Sequence, residues 1–286
     1  MRSRRLYPIV SGSLLAVGAL GAAGGFAAAG GHAARASHAS HRLHVAKISP
    51  IPLLWYQGVA SDRSGRLYFS GPAVGLYRTD RRLRLMRSVA DAIPRQITRG
   101  EGYDHIGDLA WDPREHGRLL LPLECYTGGR NTCGRGAIGV ADPVSLRWRY
   151  RVDVDPLAAR KLMWLAWQPG AGRLWTSSGR DLIAFRTTDV RRDAFAPLRP
   201  VARLAGVLPA GGVTGGAFWR GRLWLATSAR ALWSVDVRTG TARRRLKLRL
   251  SGESEGLDAG AAGLLWQVQP GIRGLLLRPG RLLRIV

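Results

Sequence analysis

Two short stretches gather acids in a chain that is otherwise basic. Residues 96–108, QITRGEGYDHIGD, hold Glu101, Asp104, His105 and Asp108. Residues 251–258, SGESEGLD, hold Glu253, Glu255 and Asp258. Hard oxygen donors of this kind suit Ca²⁺, which takes about six to eight oxygen ligands. His105 among them supplies a base near neutral pH. The same acids serve structure equally well, by capping turns or pairing with arginines. The chain offers no convincing Ser-His-Asp order, no G-x-S-x-G, no dinucleotide-binding glycines and no P-loop.

Cys125 and Cys133 are the two cysteines, with a glycine pair between them. In an exported chain they read as a disulfide closing a small loop. A metal site or a thiol nucleophile would want further partners, and only Glu124 stands close in sequence.

These residues need a scaffold, and the sequence supplies one by repetition. A glycine-arginine-leucine or similar step recurs at Arg66, Arg118, Arg173 and Arg222, at intervals of about 50 residues, as in propeller blades. Each copy has a small-residue strand, QGVAS, IGDLA or GGAFW, followed by a strand of large apolar residues. The first fits near an axis; the second fits between blades that cannot bury their faces alone. Leu67, Phe69, Leu119, Leu121, Leu174, Leu223 and Leu225, with Trp175, Trp224 and Trp266, are the expected inter-blade core. A weaker fifth copy spans residues 254–268. The fold expected is all-β, a single β-propeller over residues 43–286. Five blades are visible by repeat and six are expected, because residues 274–286 and 45–48 leave strands for one more. Residues 45–48 could also form an edge strand that completes the last blade.

Residues 1–36 have a basic start, a long uncharged run and the A-x-A site Ala34-Arg35-Ala36. This is the layout of a secretory signal peptide. An uncleaved anchor is the alternative reading, since the apolar run is long enough to span a bilayer. Residues 37–42, within a histidine-rich stretch, read as a flexible juncture. The expected location is secreted or in the cell envelope of a bacterium; the alternative is an N-terminally anchored domain held outside. A membrane contact is expected only through that N-terminal segment.

The formal charge of +25 comes from 44 Lys and Arg against 19 Asp and Glu. The arginines are scattered through strands and turns, and no recognition helix or zinc-finger spacing appears, so no specific nucleic-acid partner is expected. A monomer that meets a small molecule or a cell-envelope component fits better.

The starts of a propeller's innermost strands converge on one mouth of its channel. Here that places Gln57, Asp104 with His105, Met163 with Trp164, Val213 with Thr214, and Glu255 together. The blades with acidic inner-strand starts resemble the SMP-30/gluconolactonase-like superfamily of six-bladed propellers, which includes paraoxonase-like proteins. The phrases EGYDHIGDLAWD, LLPLECY, GVADP, LWTSSG and GESEGLD resemble a group of exported actinobacterial propellers. The resemblance implies a divalent metal, usually calcium, at the channel mouth, and in the enzymes hydrolysis of lactones or esters. Gln57 stands where the superfamily has a glutamate ligand, and Glu255 matches a later acidic ligand. Trp164 and Thr214 stand where paired Asn and Asp ligands are expected. The metal set expected is Gln57, Glu255, Asp104 and Glu101, with His105 and Asp104 as the catalytic pair. Two functions follow: a binding or scaffold propeller, or a calcium-dependent hydrolase.

Overall fold

The structure is a computed structural model that describes residues 43–71, 74–126, 133–269 and 279–286. The expected signal, the juncture, the glycine pair of the cysteine loop and residues 274–278 lie outside the described residues.

The chain opens with β1 (Val45–Ile51) and then builds antiparallel sheets in sequence. Blade 1 is β2 (Gly58–Ser61), β3 (Leu67–Ser70), β4 (Leu76–Thr79) and β5 (Leu85–Val89). A short helix, α1 (Arg95–Glu101), leads to blade 2, in which β6 (His105–Ile106) and β7 (Ala110–Asp112) together form the inner strand. β8 (Arg118–Glu124), β9 (Ala137–Ala141) and β10 (Trp148–Asp153) complete it. Blade 3 is β11 (Ala166–Gln168), β12 (Arg173–Ser178), β13 (Asp181–Arg186) and β14 (Ala202–Leu204). Blade 4 is β15 (Val213–Trp219), β16 (Arg222–Thr227), β17 (Ala231–Asp236) and β18 (Thr241–Lys247). Blade 5 is β19 (Glu253–Gly260), β20 (Gly263–Gln269), β21 (Gly280–Ile285) and, as its outermost strand, β1.

The described residues therefore make a single propeller of five sheets, not six. The strands reserved for a sixth blade are the third and fourth strands of the fifth. β1 runs antiparallel to β21, from Val45 opposite Ile285 to Ile51 opposite Gly280, and so joins the first and last described strands. Pro50 sits in this outer strand, where a missing N–H is tolerated.

The apolar residues divide among the five gaps between blades. In β3, Tyr68 faces the blade 2 side with Leu119, Leu121 and Leu123, while Phe69 faces the blade 5 side with Val59 and Leu282. That one-residue switch is the period-2 pattern of a strand buried on both faces. Trp175 packs between blades 3 and 4, and Trp224 and Trp266 between blades 4 and 5. Each is buried, as expected of core rather than ligand stacking. Full burial of one such large apolar side chain contributes about 1.5–3 kcal/mol.

Cys125 and Cys133 form the expected disulfide, with Cα atoms 5.5 Å apart. The bridge lies against the end of α1, where the Glu101 carbonyl oxygen is 3.7 Å from the Cys125 sulfur and 3.1 Å from that of Cys133, and Gly102 takes the left-handed conformation at φ 81°. Among the described residues no helix is long and apolar enough to cross a membrane.

Candidate functional site

The inner strand of blade 2 breaks at residues 107–109, between β6 and β7. The break turns Asp108 onto the axis. Its backbone pairs sideways with blade 3: its N–H donates to Met163 O at 2.8 Å, and its carbonyl accepts from Leu165 N at 3.0 Å. Its side chain reaches the other three blades. Oδ1 accepts from Val59 N at 3.0 Å; Oδ2 accepts from Gly216 N at 3.2 Å and Leu257 N at 3.1 Å. One buried residue thus binds all four other blades. Burial pushes its carboxyl well above the usual range, against the three N–H groups that favour the anion.

So close an approach requires small neighbours. A Cβ on Gly256 would lie 2.6 Å from Asp108 Oδ1, and one on Gly215 would lie 2.8 Å from Oδ2. The small inner-strand residues therefore seat a carboxylate as well as a narrow axis.

Above Asp108, at the starts of the inner strands, lies the upper mouth. His105 Nε2 and Gln57 Oε1 are 2.7 Å apart. His105 stands opposite Glu124 in the β6–β8 register. Glu124, 4% exposed at its side chain, pairs with Lys161 Nζ at 2.9 Å. Lys161 also lies 5.4 Å from the Tyr126 ring centre, and that ring packs against His105. Asp104 Oδ1 accepts the Tyr126 N–H at 2.6 Å. Glu255 is buried at the same mouth, and among the described residues no cation pairs with it. Burial, then repulsion from Glu253, Asp108 and Glu124, pushes its pKa up to about 9. Burial pulls His105 down, with Lys161 adding to this and Asp104 opposing it.

The expected site residues are thus brought together in part. Gln57, Asp104, His105 and Glu255 frame the mouth. Glu101 does not join them: it ends α1, with its carboxylate 2.8 Å from Arg135 and 2.7 Å from Arg151. Among the described residues no three His, Cys, Asp or Glu side chains gather as a metal-binding group. Trp164 fills the blade 3–4 gap, its Nε1 donating to Ser177 Oγ at 3.0 Å, and Thr214 meets Ser254. The Glu124–Lys161 pair had no sequence signal, since the two are adjacent only in the fold.

A second buried charge has a structural role. Arg118, the repeat arginine of blade 2, is fully buried. It donates to Asp112 Oδ2 at 2.9 Å, Tyr150 Oη at 2.8 Å and the carbonyls of Thr187 and Val190, tying blade 2 to the turn after β13.

No protein-family model matches the chain, and none of the curated proteins does. Solved structures do share its fold. It is similar to glutaminyl cyclase of Myxococcus xanthus at 12% identity, over 85% of this chain and 95% of that one, with a TM-score of 0.55. It is also similar to a chain of the nidogen/laminin complex at 12% identity, over 75% and 72%, with a TM-score of 0.50. At such identities the likeness is one of architecture alone: the chain is a disulfide-bonded β-propeller.

Proposed function

We propose that this is a monomeric binding propeller that works outside the cytoplasm and takes a small molecule or cell-envelope component at its upper mouth. The observation that carries this reading is the axial seal. Asp108 and the glycines around it close the channel beneath the mouth, so a ligand meets a floor rather than a passage. The disulfide supports an extracellular setting. The test is binding of envelope glycans and small metabolites to the purified domain, with Gln57→Ala and Lys161→Ala as variants. Selective loss of binding in both supports the proposal; binding that ignores both overturns the placement.

One observation favours hydrolysis of a small lactone or ester, the chemistry implied by the SMP-30/gluconolactonase-like resemblance. Glu255 is held protonated at neutral pH, while His105 is held neutral at the same mouth. A proton donor and a proton acceptor pushed apart in this way suit acid–base catalysis. Calcium fits these residues poorly as arranged. Gln57 Oε1 is engaged by His105, Asp104 Oδ1 by a backbone N–H, and Glu101 by two arginines. A panel of lactones and esters, assayed with His105→Asn and Glu255→Gln and with calcium titrated by calorimetry, separates the two functions. Turnover lost in both variants establishes the hydrolase; no turnover in the wild type removes it.

A further inference from the structure

The inner strands also end somewhere, and that lower mouth is built differently from the upper one. It holds a cavity of about 260 Å³ lined by residues from all five blades. Three consecutive blades place half-buried aromatic residues in its lining at matching strand positions, Trp111, Trp167 and Phe218, each also packed against the core of an adjoining gap. The other two present Ser61 and, beside Ala259, the carboxyl of Asp258. Ser61 Oγ donates to Asp258 Oδ2. Among the described residues no arginine, lysine or histidine forms an ion pair with Asp258, although the chain carries 44 Lys and Arg. The acid nearest it on the rim, Asp62, is occupied by its own turn and by Tyr68. Arg63 on the rim is exposed to solvent.

We propose that this lower pocket binds a small organic ammonium ion, with Asp258 as counter-ion and the Trp111, Trp167 and Phe218 rings around the cation. A carboxylate without a cation of its own, facing an arc of aromatic rings, is the arrangement that recognises alkylated ammonium groups through cation–π contact. The cavity lies just under the range of about 300–1,000 Å³ found for drug-sized ligands, so the occupant is small. A metal ion would use few of these walls, because aromatic rings offer it no oxygen donors. Burial pushes the Asp258 pKa up to about 6, and a bound cation would pull it back down. The charged groups nearby are Asp108 deeper on the axis and Asp62 and Arg63 at the rim. Ammonium binding therefore weakens as pH falls through about 6. This site is separate from the upper mouth and stands whether or not that mouth proves catalytic.

The test is calorimetry and tryptophan fluorescence with tetramethylammonium, choline and the neutral isostere 3,3-dimethyl-1-butanol. The expected result is saturable binding of both cations, with the neutral alcohol weaker by about tenfold or more. Asp258→Asn should abolish the preference for charge. Phe218→Leu keeps the carboxylate and should weaken both cations several-fold, which decides the matter if the Asp258 variant does not fold. Equal binding of alcohol and choline, absence of saturable cation binding, or an unchanged affinity in Phe218→Leu overturns the proposal.

Discussion

Replacing Asp108 tests the axial seal most directly. In Asp108→Ala the N–H groups of Val59, Gly216 and Leu257 lose their acceptor inside the protein. Each buried unsatisfied donor costs about 1–3 kcal/mol, so the three together cost about 3–9 kcal/mol. Removing a buried carboxyl relieves part of this, since its raised pKa records a penalty for the charge. The net loss should fall in the lower half of the range. Asp108→Asn is milder. Its amide oxygen can accept from Gly216 and Leu257, while its NH₂ then faces the Val59 N–H, leaving one orphan worth about 1–3 kcal/mol. For a domain of this size each kcal/mol lowers the melting temperature by about 2–4 °C. Asp108→Ala should melt at least about 6 °C below the wild type, with Asp108→Asn between them. Urea and thermal unfolding by circular dichroism, with the disulfide intact, measures both. An alanine variant that melts with the wild type, or an asparagine variant less stable than alanine, refutes the role of these three hydrogen bonds.

Three further outcomes are expected. Glu255 has a folded pKa of about 9, above its ordinary 4.5, so the native state binds the extra proton and stability falls as pH rises from about 4.5 to about 9. Glu255→Gln should flatten that slope in melting curves taken across pH, and an unchanged slope would show that Glu255 is not its source. Replacing both Cys125 and Cys133 by serine should cost about 2–3 kcal/mol by the loop-entropy account, read as a lower urea midpoint; equal midpoints would mean the bridge adds no stability. Arg118→Met leaves Asp112 paired with Arg114 alone and removes four hydrogen bonds, with an expected loss of about 1–3 kcal/mol. Arg118→Lys should recover little of it, because one ammonium cannot replace a forked guanidinium.

Much of the architecture could be read from the chain because blades are local. The repeat steps at Arg118 and Arg222 mark real β8 and β16 strands, and the tryptophans expected in the core are there. Blade count was harder, because it depends on which neighbour a strand pairs with. Residues 45–48 complete blade 5 as an edge strand beside β21, one of the two places the sequence allowed them, and only the pairing itself decides against a sixth blade. The mouth was legible as a neighbourhood, through Gln57, His105 and Glu255, but not as a set of bonds. Glu101 looked like a ligand from its place in an acidic run, yet α1 carries it toward Arg135 and Arg151. Asp108 stood in the same run, and its special role lies in partners drawn from all four other blades.

The pairing of β1 with β21 sets an order of events during synthesis. Among the described strands the first in sequence pairs with the last, so the ring stays unlatched until nearly the whole propeller has emerged from the ribosome. Until then β1 and the outer side of β20 offer bare strand edges, which invite pairing with other chains. The basic outer face of β1, with Lys47 and Pro50, makes that wait safer by discouraging foreign strands. Closing the ring also requires bringing together residues at opposite ends of the domain, a slow step in folding. A nascent chain arrested before β21 would therefore be an open arc, vulnerable to proteases, and emergence of β21 would convert it into a resistant ring.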